Sequence, residues 1–389
     1  MLCSMLERFE SIFRQIVISL FASFALVGCG GGQTQINDHI NDTVISNDAI
    51  VYDTSITSLA QILAGIFPDD TSGYSAVVQS EVWKTHADSI ASLFNKAENK
   101  NLKHMRQWAM KELPEGSDTS ATLFYAFSGP DFLYANTFFP NIKRYILFGL
   151  EPVGLIPVFD DIKYPDDFFK HIRRSLRASL SLNFFITKDM SGDLRVSKYN
   201  GVTSILMLYT AYTKHKIIDI SYIVVNDKGV IQECQYDSLS KSGFTPGVRL
   251  QLIDSIGKTK ELIYFSFNAE NTMFEKTTVK KYFQSLDGKI YGMLKAASYL
   301  MHYDGFMKIR DVFTDKVSTL LTDDTGLKYN TIKTIFSNIQ LYGQYSQPIE
   351  LFKYININDL NAAYETLPAK PIQFTYGYGL GKKLIIARK

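Results

Sequence analysis

The chain has 389 residues, of which 46% are apolar, 13% aromatic and 21% charged. This composition excludes global disorder, because so many apolar and aromatic side chains can form a large hydrophobic core. The 41 Lys and Arg residues nearly balance the 39 Asp and Glu residues and leave a net charge of +2, which disfavours nucleic acid as a partner.

The first residues have the composition of a secretory signal. Arg8 and Arg14 precede an uncharged run of 12 apolar or small residues, Ile16–Val27. A helix that spans a bilayer needs about 20 such residues, so this run is too short to cross a membrane. The pattern predicts a signal peptide over residues 1–28.

The apolar run ends in Leu26-Val27-Gly28-Cys29, which resembles the lipobox of bacterial lipoprotein signal peptides. The resemblance implies that Cys29 becomes the first residue of the mature chain and carries diacylglycerol and further acyl chains such as palmitate. Gly30 follows the cysteine and favours the outer membrane, with the body facing the periplasm or the cell surface. The alternative is that Cys29 is an ordinary cysteine after an uncleaved apolar helix.

The rest of the chain divides into a tether and a body. Residues 29–54 are mostly polar, which predicts a lipidated cysteine followed by a flexible tether. The body is predicted to contain a mixed α/β region over residues 55–240 and an α+β region over residues 241–389 with a C-terminal hairpin. Removal of the signal and acylation of Cys29 leave Cys234 as the only thiol, so no intramolecular disulfide is expected.

The predicted elements of the body begin with two amphipathic helices between residues 75 and 113. Apolar residues recur there at spacings of three and four, with a break at Asn99–Asn101. Thr122–Phe127 and Tyr145–Gly149 are short apolar strands, and residues 132–139 between them are predicted to be helical. This order is that of a βαβ unit.

Two further helices are predicted, over residues 166–184 and 202–214, before a second half that is rich in strands. The predicted antiparallel hairpins cover residues 217–236, 248–267 and 372–387, and the predicted helices between them cover residues 290–302 and 306–321. We therefore expect a mixed α/β fold of the α+β type. It has N-terminal helices and a βαβ-like unit, followed by antiparallel hairpins with helices.

The turn after the first strand of the βαβ unit is the main candidate for a binding site. Ser128, Gly129 and Asp131 lie in this turn, and Glu151 follows the second strand. In open α/β sheets, ligands collect at the carboxyl ends of strands, where a glycine lets the backbone approach and an acidic residue binds a ribose hydroxyl. The unit resembles the nucleotide-binding half of a Rossmann-type or methyltransferase-type protein. The alternative is that Ser128 or Asp131 caps the helix and Gly129 only serves the turn.

Four segments resemble an uncharacterised family of exported bacterial proteins. They are FSGPDFLYANTFFP at residues 127–140, GLEPVG at 149–154, KAASYLMH at 295–302 and LLTDDTG at 320–326. The resemblance agrees with export of this chain, and it implies no particular activity.

Other chemical patterns in the sequence have simpler interpretations. Asp324-Thr325-Gly326 matches the triplet of aspartic proteases, but it occurs once and follows a predicted helix, so we interpret it as a helix end that forms a turn. Lys295 and Ser298 are predicted to share one face of a helix. The six histidines occur singly, without paired cysteines or a calcium-loop pattern, so no metal site is predicted.

We expect a lipid-anchored protein of the bacterial cell envelope that binds a ligand or a protein partner without catalysis. A saccharide, a peptide or an envelope protein would suit the tyrosine-rich second half, and no cofactor is expected. The alternative is an exported enzyme whose site combines the Ser128–Asp131 turn with Glu151, helped by His302 or His171. A third hypothesis is a structural bridge between envelope components, which requires a large exposed apolar patch.

Overall fold

A mixed sheet of ten strands runs through the part of the chain that the computed structural model describes, namely residues 54–182, 199, 201–240, 243–345, 347–355, 357–378 and 382–389. In chain order the strands are β1 (Thr122–Tyr125), β2 (Arg144–Gly149), β3 (Lys216–Val225), β4 (Ile231–Cys234), β5 (Thr245–Ile253), β6 (Thr259–Ser266), β7 (Ile290–Leu294), β8 (Thr319–Thr322), β9 (Asn338–Gly343) and β10 (Lys383–Arg388). They lie in the order β4-β3-β5-β6-β2-β1-β7-β8-β10-β9. The five strands β6, β2, β1, β7 and β8 are parallel, and the outer strands pair antiparallel with their neighbours.

Helices cover both faces of this sheet. In chain order they are α1 (Thr54–Leu63), α2 (Ser75–Gln79), α3 (Glu81–Ala97), α4 (Lys103–Glu112), α5 (Phe132–Phe138), α6 (Pro165–Leu182), α7 (Thr203–Tyr212), α8 (Asn271–Lys276), α9 (Val279–Ser285), α10 (Met307–Lys316), α11 (Tyr329–Ile335) and α12 (Asn358–Thr366). Residues of α1 to α7 share one hydrophobic cluster with one sheet face, and residues of α8 to α12 share a second cluster with the other face. Leu123 and Phe124 are neighbours in β1 and belong to opposite clusters, because successive side chains of a strand point to opposite faces.

The mixed α/β fold that the sequence predicts is confirmed, and so are most elements of its first half. A π-helical turn, Glu98–Leu102, separates α3 from α4 at the predicted break. Strands β1 and β2 pair in parallel on either side of α5, as expected of a βαβ unit. Helices α6 and α7 and the first two hairpins also lie where they are predicted. Helix α1 was not predicted, and it begins at Thr54, the last residue assigned to the tether. Residues 1–53, which include Cys29 and the predicted signal peptide, lie outside the described residues.

The two helices predicted near residues 290–321 are partly wrong. Ile290–Leu294 is β7, and only a single 3-10 turn, Leu300–His302, follows it within the first predicted helix. The second helix ends at Lys316, and Thr319–Thr322 is β8. All residues of both strands are buried. A strand with two buried faces reads as a continuous apolar run, which periodicity alone does not separate from a buried helix.

The predicted C-terminal hairpin is also wrong. Strand β10 pairs with β8 and β9, and residues 372–376 form no strand. The alternation that suggested a strand is nevertheless real, because Ile372, Phe374 and Tyr376 are buried while Gln373 is exposed. This segment lies against the sheet and makes its contacts through side chains. The predicted division near residue 240 stays a prediction, although β3 and β5 on either side of it pair in one sheet.

The contact between β7 and α10 leaves no room for a side chain at Gly292. A Cβ atom there would lie 2.8 Å from both Phe313 Cζ and Val317 Cγ1. We expect Gly292→Ala to lower the free energy of unfolding by about 1–3 kcal/mol, because an overpacked core must shift its neighbours. Gly305→Ala is the control, since a Cβ atom at Gly305 would meet no atom within 4 Å. Urea denaturation of both variants measures the difference, and equal stabilities would contradict this account of the packing.

Candidate functional site

The carboxyl ends of the five parallel strands form one edge of the sheet, and the strand order reverses there. From β1 the chain continues through α5 to β2 on one side, whereas from β7 it continues through α10 to β8 on the other side. Strands β1 and β7 are neighbours, so the reversal lies between their carboxyl ends. In open α/β sheets, ligands bind in the crevice at such a reversal. We call this region the carboxyl edge.

The four segments for which the sequence suggested a family resemblance all lie at the carboxyl edge. Residues 127–140 follow β1, residues 149–154 follow β2, residues 295–302 follow β7 and residues 320–326 contain the end of β8. Only the first two were expected to come together, because β7 and β8 were predicted to be helical. The four segments therefore lie together in a single region of the fold.

The predicted pair of Gly129 and Glu151 is in contact. The Ser128 and Gly129 amides donate hydrogen bonds to the Phe148 carbonyl at 3.0 and 3.3 Å, so the turn after β1 packs against the end of β2. Gly129 has a φ of +54°, and a Cβ atom there would lie 3.4 Å from Glu151 Oε1. A Cβ atom at Gly149 would overlap Glu151 Oε2. Gly149 thus makes room for the Glu151 carboxylate, which is buried beside the Gly129 turn.

The polar groups of this turn have local partners. The Ser128 hydroxyl donates to the Gly129 carbonyl at 3.0 Å, which is the bond of a turn residue. The Tyr264 hydroxyl lies 2.9 Å from the Glu151 carbonyl oxygen and 3.2 Å from Glu151 Oε2. Burial and the neighbouring Glu151 carboxylate raise the pKa of Tyr264 well above its usual value, so its hydroxyl stays protonated and donates.

Asp131 has the capping role that the structural interpretation predicted, and it also forms a buried ion pair. Its Oδ1 accepts from the Tyr134 amide at the start of α5, and its Oδ2 accepts from the Tyr125 hydroxyl at 2.8 Å. Lys295, the first residue after β7, places Nζ 2.8 Å from Asp131 Oδ2 and 3.8 Å from the centre of the Tyr134 ring. Asp131 and Lys295 are 2% and 3% exposed. The pair therefore joins the ends of β1 and β7 across the reversal.

Asp323 and Asp324 extend the carboxyl edge beyond β8. Asp323 Oδ2 accepts from the Ala296 amide at 3.1 Å, and its Oδ1 accepts from the Thr325 amide at 2.9 Å and the Thr325 hydroxyl at 2.5 Å. Burial, and next the charge of Asp324, raise the pKa of Asp323 to about 6. Asp324 accepts from the Tyr299 hydroxyl and lies 3.1 Å from Lys383 Nζ.

The interpretation of Asp324-Thr325-Gly326 as a turn is confirmed, but the triplet ends a strand and not the predicted helix. The carboxylate next to that of Asp324 belongs to the adjacent Asp323 of the same chain. Each of these two carboxylates accepts hydrogen bonds from its own donors. This is a turn that ties β8 to the loop after β7. Lys295 and Ser298 are likewise not on a helix, since both lie in that loop.

The loops at the carboxyl edge hold an unusual backbone. Five non-glycine residues in the described part of the chain have a positive φ, and four of them follow β1 or β7: Phe127, Ala296, Ser298 and Tyr299. Their φ values lie between 52° and 58°. Such conformations persist only where the surroundings enforce them, and they cluster at functional sites.

His302 lies beside the β8 side of this edge. Its ring packs edge-on against the Tyr299 ring, with the centroids 5.0 Å apart, and burial lowers its pKa to about 4. His171 lies on α6, and Cys234 ends β4, where burial raises the pKa of its thiol. His302, His171 and Cys234 lie on separate elements and do not form a pair of nucleophile and base. Lys295 and Asp323 were not predicted as members of the site, although they lie in segments 295–302 and 320–326.

The described residues contain neither a candidate metal site nor a helix that could span a membrane. Among the described residues, no group of three or more His, Cys, Asp or Glu side chains could hold a metal ion. None of the helices in the described ranges is long and apolar enough to cross a bilayer. Neither the protein-family models nor the curated proteins contain a match to this chain.

Proposed function

We propose that the protein binds a nucleoside at the carboxyl edge, with the Gly129 turn against the ligand and the Glu151 carboxylate on its ribose hydroxyls. The observation that supports this most directly is the position of the Glu151 carboxylate, 3.4 Å from where a Cβ atom of Gly129 would lie, beside the reversal of strand order. An acidic residue after the second strand of such a unit accepts hydrogen bonds from ribose. The strained loops after β1 and β7 add support, because binding sites commonly hold such backbone.

The charges at the carboxyl edge favour a nucleoside without phosphate groups. Within the described residues, four carboxyl groups lie at this edge, on Asp131, Glu151, Asp323 and Asp324, and those of Asp131 and Asp324 form ion pairs with the ammonium groups of Lys295 and Lys383. Carboxylates in a low-dielectric environment repel an anionic ligand more strongly than they would in water. The turn also has one glycine where phosphate-binding loops of this kind have three. A neutral or cationic nucleoside therefore suits the site better than a nucleotide.

Calorimetric titration with adenosine tests the proposal. Glu151→Gln is expected to weaken adenosine binding about tenfold or more, because hydrogen bonds to a charged group contribute about 1.5–3 kcal/mol. Glu365→Gln, an exposed position on α12, is the matched control and should bind as the wild type does. Adenosine monophosphate in the same titration should bind more weakly than adenosine. Equal affinities of the Glu151→Gln variant and the wild type, or tighter binding of the monophosphate, would contradict the proposal.

Catalysis at the same edge is the second candidate function. Asp323 favours it, because a buried carboxyl group with a pKa of about 6 can exchange protons near neutral pH. In this case Asp323 would act as an acid or base on a ligand bound between the ends of β7 and β8. The Asp323→Asn variant separates binding from catalysis. If it binds adenosine as the wild type does, any activity that the wild type has and the variant lacks is assigned to Asp323.

The location of the protein is a separate part of the proposal. We infer that the body is attached to the cell envelope through acyl chains on Cys29, because the lipobox-like segment precedes that residue. Mass spectrometry of the protein purified from a bacterial membrane should show a chain that begins at residue 29 and carries diacylglycerol. Cys29→Ser should abolish both the cleavage and the lipid mass. A wild-type chain with its first 28 residues and a bare thiol would exclude the anchor.

A further inference from the structure

A small cavity lies at the β8 side of the carboxyl edge. Its wall includes Asp324 and Lys383, which form the ion pair described above, and the side chains of Tyr299, Tyr376 and Tyr378. The centre of a water molecule has about 10 Å³ in which to lie inside this cavity. One buried water molecule needs roughly this much space. The cavity therefore has room for one very small ligand.

One oxygen atom of the Asp324 carboxylate lacks a hydrogen bond. Asp324 is 3% exposed. Its Oδ2 accepts from the Tyr299 hydroxyl, whereas no group of the described residues donates to its Oδ1 in the geometry of a hydrogen bond. Lys383 Nζ lies 3.1 Å from this Oδ1, and because both residues line the cavity, their contact lies at its wall. Buried polar atoms of this kind commonly bind an ordered water molecule.

Lys383 supplies a donor beside this acceptor. It is the first residue of β10, and its ammonium group carries three N–H bonds. The ammonium group lies 4.5 Å from the centre of the Tyr345 ring, which stabilises the charge on one side. Within the described part of the chain, its ion-pair partner is Asp324. The cavity therefore offers a hydrogen-bond acceptor and a hydrogen-bond donor next to each other.

The tyrosine hydroxyls around the cavity already have partners. The Tyr376 hydroxyl donates to the Leu294 carbonyl at 3.2 Å, and the Tyr378 and Ser298 hydroxyls lie 2.5 Å apart. The third, Tyr299, is the donor to the carboxylate. Burial raises the pKa of each of these tyrosines above its usual value, so all three stay protonated. They line the cavity without adding charge to it.

The charges beside the cavity select a neutral ligand. The Lys383 ammonium group would repel a metal ion, and the carboxylates of Asp323 and Asp324 would repel an anion. A ligand between Asp324 Oδ1 and Lys383 Nζ has to donate one hydrogen bond and accept another. A water molecule has the required size, charge and hydrogen-bonding groups.

We propose that this cavity binds one water molecule, which donates a hydrogen bond to Asp324 Oδ1 and accepts one from Lys383 Nζ. The inference goes beyond the proposed function and does not depend on it. The water completes the hydrogen bonding of the buried ion pair that joins the turn after β8 to β10. Displacing an ordered water without replacing its hydrogen bonds lowers affinity. A ligand that reaches this side of the carboxyl edge therefore needs a group that both donates and accepts, such as a hydroxyl.

A crystal structure of the purified protein, at a resolution that shows ordered water, tests the proposal. We expect one peak of density in the cavity, about 2.6–3.2 Å from both Asp324 Oδ1 and Lys383 Nζ. An empty cavity would overturn the proposal. A peak about 2.0–2.5 Å from the carboxylate oxygen would also overturn it, because that is the distance of a bound metal ion.

Variants of the ion pair test which groups hold the water. Asp324→Leu/Lys383→Met replaces the acceptor and the donor with apolar groups, and the peak should disappear because small apolar cavities stay dry. Glu81→Leu/Lys84→Met removes an exposed ion pair of α3 and is the matched control, which should keep the peak. A peak that persists when Asp324 and Lys383 are both replaced would show that other groups bind it.

Asp324→Asn keeps the proposal testable if the double variant does not fold. The amide retains a polar group beside Lys383, so the cavity of this variant should still contain the peak. A dry cavity in Asp324→Asn would contradict a water that is held by hydrogen bonds at this position.

Discussion

Replacing Lys295 with methionine is expected to lower the free energy of unfolding by about 3–5 kcal/mol. The substitution keeps most of the side-chain volume but removes the ammonium group 2.8 Å from the Asp131 carboxylate. Asp131 is 2% exposed, so its charge would be left in a low-dielectric site with only the Tyr125 hydroxyl and the α5 amide as partners. Breaking a buried ion pair at one partner is costly for this reason, whereas the pair as a whole contributes little. Urea denaturation at pH 7 measures the loss.

Two variants distinguish this explanation from a general loss of packing. Asp131→Asn in the Lys295→Met background removes the stranded charge and keeps an acceptor for the α5 amide, so it should restore stability to within about 2 kcal/mol of the wild type. Lys84→Met removes an exposed lysine 2.7 Å from Glu81 and should cost less than about 1 kcal/mol. If the double variant is no more stable than Lys295→Met, the charge is not the cause of the loss.

Only part of the candidate site could be predicted from the sequence, and the ion pair of Lys295 and Asp131 belongs to the part that could not. The Gly129–Glu151 half could be predicted, because β1, α5 and β2 follow one another along the chain and each has a local signal. An apolar strand, a Ser-Gly-Pro-Asp turn and a second apolar strand specify a parallel pair, and the ends of parallel neighbours meet at one edge. The contact of Glu151 with Gly129 follows from that pairing.

The other half of the site depends on a contact between distant parts of the chain. Thr122 of β1 pairs with Ile290 of β7, and no local pattern in either segment specifies that partner. Because β7 is buried on both faces, its apolar residues also fit a helix, and that prediction placed Lys295 on a helix face, where it could not be paired with Asp131. A correct assignment of β7 would have placed Lys295 at the end of a strand beside β1.

Residues 372–376 present the opposite case, in which the pattern is right and its interpretation as a strand is wrong. Alternation of apolar and polar residues over 372–376 reports one buried face of an extended segment. It does not report whether the backbone amides find a neighbouring strand. In this structure the Thr375 amide bonds the Asn101 side chain instead. Which groups accept hydrogen bonds from the backbone amides of an extended segment depends on the tertiary structure. The sequence pattern therefore does not distinguish an extended segment packed on a sheet from a strand within the sheet.

Mild acid is expected to destabilise the protein strongly through three buried histidines. His86, His215 and His302 each have a pKa lowered from 6.5 to about 4, with burial as the largest cause. Between these values the unfolded chain binds protons that the folded chain excludes, so stability that is present above pH 6.5 is lost as the pH falls towards 4. Each histidine is expected to lose about 2 kcal/mol between pH 7 and pH 5.

Asp323 acts in the opposite direction but is the weaker effect. Its pKa is raised from 3.8 to about 6, so the folded chain binds a proton in this range more readily than the unfolded chain does. Its contribution is therefore largest at low pH and is lost as the pH rises through 6. Acidification from pH 7 to pH 5 regains about 1 kcal/mol through this group. Three histidines outweigh one aspartate, and we expect a net loss of about 5 kcal/mol.

Urea denaturation at pH 5, 6 and 7 measures this loss, and two variants assign it. His302→Met removes one titrating group from beside Tyr299, so its loss between pH 7 and pH 5 should be smaller than that of the wild type by about 2 kcal/mol. Asp323→Asn removes the opposing group and should make the loss larger by about 1 kcal/mol. A wild-type protein that is equally stable at pH 5 and pH 7 would show that these histidines are not buried in the neutral form. Because His86 and His215 pack against Phe169 and Phe132 on one face of the sheet and His302 packs beside the carboxyl edge, the same measurement reports the burial of histidine in both regions.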